Sequence, residues 1–490
     1  MTADSTVSEP ASIRSLIAPL IAIIVGLFMV ILDSTAVNVA IPVIAKDFQS
    51  SLTLIQWTIT GYALAQASVI PLAGWMSDRF GAKQIFIISI ILFVGSSILC
   101  SFAGSAEMLI FFRILQGLGG GMVTPIAFAM IYRISPADSV GRIMGIMGVP
   151  ILLAPALGPI VSGYLVDYVS WRWLFLINIP VGIVGVILGI LLLPNLSKKA
   201  SAPLDSLGFI LAPLAFGGLS YGLSEGGEGW TTVKTITGLT VGALALVLFV
   251  IVELRSKKEP LLELRVFRSM QFTFGIVVQW VLQLALFGMI FAVPYFMQRL
   301  MGMSAFEAGF WSLPQAIASG VMMPFSGRLF DRIGARPLVV GGLILITVGA
   351  YMFSLIDPSD SSWTFLLPRI MLGLGSGMSF IALNTHLIQT APKELVGRVT
   401  SLTSAAQQVV SSFAIAGLTT FLVSRTDHYA SNGEAPVPNA MTHAFHNTYQ
   451  LLAIIAVAGL LLAFTLKRPA AKNAGLTPGE ANKTPVIMME

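Results

Sequence analysis

Asp33 is the side chain best placed to do chemistry in this chain. It stands alone as an ionised group in an apolar run from about residue 16 to 45. A carboxylate at the centre of a membrane span costs about 2.5–3.5 kcal/mol on insertion scales, so such a group marks an ion or proton pathway by default. Arg113, in the fourth apolar run, has no acidic residue of its own at helical spacing, so Asp33 is its expected partner. The alternative is a guanidinium that snorkels to one interface. Burial favours the neutral acid, and a nearby cation favours the carboxylate. An Asp–Arg couple that changes surroundings can therefore take up and release a proton. Arg369, in a later apolar run, has no evident acidic partner and reads as structural.

Other chemistries find no residues to carry them. There is no Gly-Lys-Ser phosphate loop and no nucleophile–base set, which argues against an enzyme and against fuelling by nucleotide hydrolysis. His428, His443 and His446 share one loop without a cysteine or an acidic cluster, so no metal site is expected. Cys100 is the only cysteine, cannot form an intramolecular disulfide, and reads as packing.

These residues must be held by helices in a lipid bilayer. Of 490 residues, 56% are hydrophobic and only 10% charged, against roughly a quarter charged in soluble domains. Apolar stretches of about twenty residues recur, each able to cross ~30 Å of hydrocarbon as a helix that satisfies its own backbone. Fourteen such spans are read here. The first shows no convincing cleavage site and is expected to remain as an anchor. Most of the 28 Lys and Arg fall on one set of connections. Five (Lys46, Arg172, Lys234, Arg299 and Arg425) fall on the other, and Arg113 and Arg369 lie within spans. By the positive-inside rule both termini are cytoplasmic. The net charge of +5 tracks the membrane and gives no reason to expect nucleic acid.

The chain repeats itself. Arg113-Ile-Leu-Gln-Gly117-Leu-Gly119-Gly-Gly121-Met122 returns 256 residues later as Arg369-Ile-Met-Leu-Gly373-Leu-Gly375-Ser-Gly377-Met378, and Val140-Gly141-Arg142 returns at the same offset as Val396-Gly397-Arg398. Gly74-Trp-Met-Ser-Asp78-Arg79-Phe-Gly81 returns 253 residues later as Gly327-Arg-Leu-Phe-Asp331-Arg332-Ile-Gly334. Duplicated six-span halves are a common plan of secondary transporters, with the substrate site between them. The expected organisation is a cytoplasmic tail (1–15), a six-helix bundle (16–196), a linker with two inserted spans (197–269), a second six-helix bundle (270–468) and a cytoplasmic tail (469–490). Within the linker, Leu261, Leu262, Leu264 and Phe267 among basic residues suggest an interfacial helix, with a solvated linker as the alternative.

Several of these stretches resemble signatures of the major facilitator superfamily, in particular its fourteen-span drug–proton antiporters. Leu32-Asp33-Ser34-Thr35-Ala36-Val37-Asn38-Val39-Ala40-Ile41-Pro42 resembles that family's first-helix signature, and the segment from Gly74 to Lys83 its loop motif. Arg113, Gln116 and Gly117 resemble its fourth-span motif. Gly148-Val-Pro150 to Gly163 resembles its antiporter motif in the fifth span, with Ala154 and Ser162 where glycine is usual. Trp171-Arg172-Trp173 to Gly182, and the stretches at Asp205 and Glu259, resemble later signatures. The similarity covers roughly residues 16–468.

The resemblance implies an all-α integral membrane protein with the major facilitator fold, two six-helix bundles plus two inserted helices, in a bacterial plasma membrane. It implies a proton-coupled antiporter exporting hydrophobic, cationic compounds by alternating access, with the proton gradient as energy source and no cofactor. Asp33 and Arg113 would couple the proton. Gly74, Asp78, Arg79, Gly81, Asp331 and Arg332 would latch the loop end, and Pro155, Gly158, Pro159 and Gly163 would bring the fifth helix against the other half. Polar or aromatic positions facing a central cavity would be Tyr62, Gln66, Gln116, Gln279, Gln283, Phe287, Asn384 and Gln407. The need for a membrane-fusion adaptor stays open. A dedicated exporter of an endogenous siderophore or peptide fits the same fold, and a narrow resistance profile would single it out. A non-transporting sensor or scaffold would be expected to have lost the coupling residues.

Overall fold

The computed structural model describes residues 13–50, 52–136, 139–196, 206–226, 229–255, 262, 264–391, 395–431 and 437–466. The tails, the basic linker at 197–205 and most of 256–263 lie outside the described residues. The helices run α1 (Ile13–Asp47), α2 (Leu52–Phe80), α3 (Ala82–Ser101), α4 (Ala106–Ile134), α5 (Val140–Tyr168), α6 (Trp173–Leu176), α7 (Asn178–Leu192), α8 (Ser206–Gly226), α9 (Val233–Arg255), α10 (Met270–Arg299), α11 (Ala305–Phe310), α12 (Leu313–Ile333), α13 (Ala335–Phe353), α14 (Leu366–Gln389), α15 (Val396–Ser431) and α16 (Val437–Ala463). Among the described residues there are thus fourteen long helices and two short ones, α6 and α11. Among the described residues, ten helical stretches are long and apolar enough to cross a membrane. The long helices that miss that measure, α2, α5, α8 and α12, all pack across the join between the two halves.

Glycine spacing explains how each half holds together. Gly117 and Gly121, one turn apart, set α4 against the α2 backbone at Tyr62 and Gln66, while Gly119 faces α3 at Ser89 and Phe93. The repeat does the same: Gly373 and Gly377 lie on α12 at Gln315 and Ser319, and Gly375 lies on α13 at Gly342 and Ile346. In lipid there is no hydrophobic drive between helices, so close backbone approach at small residues supplies the packing. The tight turns after α2 and α12 use Gly81 and Gly334, whose φ values of 99° and 81° would strain any side chain.

The halves meet along two seams, α5 with α12 and α2 with α15. A Cβ on Gly145 would lie 2.6 Å from the Met323 carbonyl, and one on Gly74 would lie 2.7 Å from the Gly397 carbonyl. The inserted α8–α9 pair closes on itself at Gly218, Gly222, Gly238 and Gly242. α8 lies across both α2 and α15, so the insertion touches both halves. It is pinned where the Trp230 indole N–H donates to Thr420 Oγ1 at 2.6 Å.

The segment before α10 differs from expectation. Leu264–Arg268 is a single 3-10 turn, neither an interfacial helix nor a solvated linker. Leu262 is fully buried, Val266 is buried, and Leu264 and Phe267 pack on the same apolar core. Apolar residues interspersed with Arg265 and Arg268 fit a surface helix and a buried turn equally well, and tertiary contact decides between them.

Candidate functional site

The first-half site is assembled from six helices. Asp33 sits mid-way along α1, 2% exposed. Its Oδ2 accepts from Arg113 Nη1 of α4 at 2.6 Å. Its Oδ1 accepts from Asn178 Nδ2 of α7 at 2.7 Å and from Gln116 Nε2 of α4 at 3.1 Å. Arg113 is 1% exposed and is satisfied on its other sides. Its Nη1 also donates to Gln116 Oε1 at 2.6 Å, and its Nε donates to the Thr58 carbonyl of α2 at 3.2 Å. Ser97 Oγ of α3 accepts from both amides, Gln116 at 2.5 Å and Asn178 at 3.2 Å. The guanidinium lies over the Tyr62 ring at 4.0 Å and near Phe175 of α6 at 5.8 Å. This is a buried ion pair whose lone pairs and protons are met by fixed dipoles, the condition under which such a pair is tolerated.

Local sequence explains the placement. Ser105 caps α4, its hydroxyl accepting from the Met108 N–H at 3.3 Å. Gly117 then lets α4 press on α2 at Tyr62, which lays Arg113, one turn earlier, over the Tyr62 ring. Gln116 is fully buried in this network and does not face a cavity, a change from its expected role in substrate contact. Cys100 also touches the network, its Sγ 3.9 Å from Gln116 Oε1. Asn178 and Ser97 had no role in the sequence reading. The signal for Asn178 was its place in the Trp171–Gly182 stretch that resembles a family signature.

Two carboxylates, Asp331 and Asp78, make contacts across the join at the end of the molecule that carries the repeated loop motif. Asp331 accepts from the backbone N–H groups of Gly141 and Arg142, both at 3.0 Å, at the start of α5. A carboxylate at a helix N-terminus meets unpaired donors and the positive end of the dipole. Asp78 is held differently, by the side chains of Arg133 at 2.7 Å and Arg398 at 3.6 Å. Asp78 lies at the start of α15, where a Cβ on Gly397 would come 3.6 Å from its Oδ1. Arg79 is exposed and lies 5.4 Å from the Trp75 ring centre, and Arg332 is exposed.

In α5, Gly158 faces Thr35 of α1 in its own half. The contact with the other half falls instead on Gly141, Gly145 and Gly148 against α12, and on Gly163 against Phe306 of α11. Pro155 and Pro159 are described for their helical backbone alone.

The other candidate residues fall in two groups. Tyr62 and Gln66 are bonded, Gln66 Nε2 donating to the Tyr62 hydroxyl at 2.9 Å, with Gln66 half-buried. In the second half, Gln279 of α10 donates to Asn384 Oδ1 of α14 at 3.2 Å. Gln283 is buried, and Phe287 and Gln407 are half-buried. Arg369 is buried with neutral neighbours, donating to Ser312 Oγ at 2.9 Å and lying 3.2 Å from Met297 Sδ. Among the described residues it forms no ion pair. Outside the spans, Asp47 accepts from the Trp171 indole and from Arg172, and these bonds hold its carboxyl below the usual range against a smaller desolvation effect. No group of three or more potential metal-ligating side chains occurs among the described residues.

Comparison with known proteins fits this architecture. The multidrug resistance protein B homolog of Mycobacterium tuberculosis is 33% identical over 404 residues, 81% of this chain and 74% of that protein. The lincomycin resistance protein LmrB of Bacillus subtilis is 29% identical over 461 residues, 92% of this chain and 95% of its own. The proton:xylose symporter XylE superposes with a TM-score of 0.64 at 13% identity, covering 94% of this chain and 97% of that one, a likeness of fold alone. The profile of the Major Facilitator Superfamily matches residues 23–415 and 316–488, and the chain belongs to that superfamily of membrane transporters.

Proposed function

We propose that this transporter is a proton-driven antiporter that exports hydrophobic, cationic small molecules by alternating access. All fourteen long helices would span a bacterial plasma membrane, with both termini and the latch end cytoplasmic. The observation that carries the reading is the sealed Asp33–Arg113 pair. Protonating Asp33 removes the one full negative charge facing Arg113, and a buried guanidinium without a counter-charge must find other partners. Its nearest outlet is Tyr62, which is bonded to half-buried Gln66. Proton uptake would thus be passed from α1 through α4 to α2, the helix that meets α15 across the join. Every hydrogen bond of Asp33 among the described residues comes from its own half, so proton and substrate would compete through Arg113 and not by sharing the carboxylate. The relatives named for multidrug and lincomycin resistance support export as the direction.

One proton exchanged for one monovalent cation moves no net charge, so only the pH gradient would drive it. A neutral substrate would also draw on the potential, worth about 2.3 kcal/mol per 100 mV. In everted vesicles, accumulation of a monovalent dye should collapse with nigericin and survive valinomycin with potassium. The opposite pattern would refute one-for-one exchange. Accumulation indifferent to both ionophores would refute proton coupling.

A further inference from the structure

The contact between α10 and α14 contains buried polar atoms that the folded chain leaves without partners. Oε1 of Gln279, Oε1 of Gln283 and Nε1 of Trp280 make no hydrogen bond among the described residues. Gln279 and Gln283 are 1% and 4% exposed and lie one turn apart on α10, on a shared face. A chain of bonds fixes which way the Gln279 amide points. The Phe380 carbonyl can only accept, so the Asn384 group 2.9 Å from it is Nδ2. Asn384 Oδ1 is then an acceptor, and Gln279 must turn Nε2 towards it. Gln279 Oε1 is left as an acceptor with no donor. Buried acceptors are almost always paired, so one that is not marks a place where another molecule can complete the bonding. Trp280 and Phe380 pack on the core that joins the halves, and Phe287 lies one turn beyond Gln283.

We infer that this amide cluster is the subsite for the polar end of the exported molecule, and that it takes an N–H donor. It suits a protonated primary, secondary or tertiary amine and discriminates against a permanently quaternary ammonium. The inference rests on the reading of the chain as an exporter of hydrophobic cations. Two carbonyl oxygens one turn apart can accept from an ammonium N–H. A quaternary nitrogen carries the same charge but presents only alkyl groups, so both oxygens stay unsatisfied. The aromatic rings alongside can hold the apolar body of either molecule. Asp33 is fully engaged in its own half, so discrimination between two equally charged ligands falls to these neutral acceptors.

The test uses purified full-length protein and two fluorescent dyes with one apolar body, one bearing a dimethylaminoalkyl arm and the other its trimethylammonium analogue. Binding is read by fluorescence polarisation and export in proteoliposomes. The amine should bind about tenfold tighter or more, the scale of one charge-assisted hydrogen bond. Gln279→Leu alone would strand Asn384 Oδ1, so the variant of choice is Gln279→Leu with Asn384→Leu, which removes both partners together. It should weaken the amine and leave the quaternary dye unchanged. Gln283→Met, which breaks no hydrogen bond seen among the described residues, should weaken the amine several-fold. Equal affinity for the two dyes in the parent protein, or a preference that survives in both variants, would overturn the inference. Preferential binding with export of neither dye would leave the subsite standing and overturn the exporter reading.

Discussion

Replacing Asp33 by Asn should abolish proton-driven export and destabilise the protein, and the structure separates the two effects. Asparagine keeps one carbonyl oxygen, which can accept either from Arg113 or from the amides of Gln116 and Asn178, but not from all of them as the carboxylate does. Arg113, 1% exposed, is left as a buried cation without a counter-charge. Breaking a buried pair in this way costs about 3–5 kcal/mol. Asp33→Ala removes the remaining acceptor as well. Gln116 and Asn178 still reach Ser97 at 2.5 and 3.2 Å, so the added penalty is limited to about 1 kcal/mol for each lost bond. In the double variant Asp33→Asn with Arg113→Gln both charges leave together, and neutral amides fill the pocket. Replacing a whole buried pair is close to neutral in many proteins, so the double variant should recover most of the thermal stability that Asp33→Asn loses in detergent. It should still fail to pump. A double variant as unstable as the single would refute the stranded-cation account, and robust proton-driven efflux by Asp33→Asn would end its coupling role.

Three other outcomes are expected. Gly74→Val and Gly145→Val place side-chain carbon against the facing carbonyls of Gly397 and Met323, so each should open the latch end, read as faster labelling of cysteines placed along α5 or α15. Trp230→Phe loses the bond to Thr420, worth about 0.5–1.5 kcal/mol, and should speed hydrogen exchange at the adjoining ends of α8 and α15 without changing ligand affinity. Asp47 is held below its ordinary value of 3.8 chiefly by the Trp171 bond. Its contribution is therefore present above that pH and lost as the pH falls through the lowered folded value. The parent's melting temperature should drop slightly more on acidification than that of Asp47→Asn, and identical pH profiles would show the bond to be without effect.

Some of this was legible in the sequence and some was not. Glycines 117, 119 and 121 repeat as 373, 375 and 377, and a pattern that strict has one physical use in lipid, close backbone approach, which is what those residues do. Asp33 and Arg113 could be paired because each was the deeply placed counter-charge that its own half offered the other, whereas Arg369 is buried with neutral neighbours. Asn178 and Ser97 carried no such compulsion. A single amide or hydroxyl in a membrane helix can serve any neighbour, and Asn178 lies 145 residues from the aspartate it binds. Gln116 shows the same ambiguity from the other side, for an amide beside a buried arginine can complete its shell or face a cavity. Asp78 and Asp331 have nearly the same local sequence, yet one meets arginine side chains and the other a helix terminus. The close partner of Asp78, Arg133, comes from its own half, and the position 256 residues on from Arg133 is Gln389, so the difference lies between α4 and α14 and not in what the opposite half presents.

The two halves share a scaffold and differ in chemistry, and that difference bears on how a cycle could be driven. On the α1–α4 side the polar atoms are ionised and satisfied within the half. On the α10–α14 side the amides of Gln279, Gln283 and Asn384 are neutral, some of their atoms lack partners among the described residues, and the buried Arg369 has only neutral hydrogen-bond partners. A satisfied ion pair resists change until a proton alters its charge, whereas an unsatisfied amide responds to whatever molecule brings a donor. If both functions shared one pocket, every ligand that suited the pocket would also perturb the proton site, and a broad substrate range would be hard to reconcile with coupling. Keeping them in separate halves removes that conflict but requires a link across the join. The seams supply it, since α2 carries both Tyr62 and Gln66 at one level and Gly74 and Asp78 at another, where it meets α15. First-half substitutions should therefore alter the pH dependence of transport for all substrates alike. Those at Gln279 or Gln283 should reorder substrates while leaving that dependence in place.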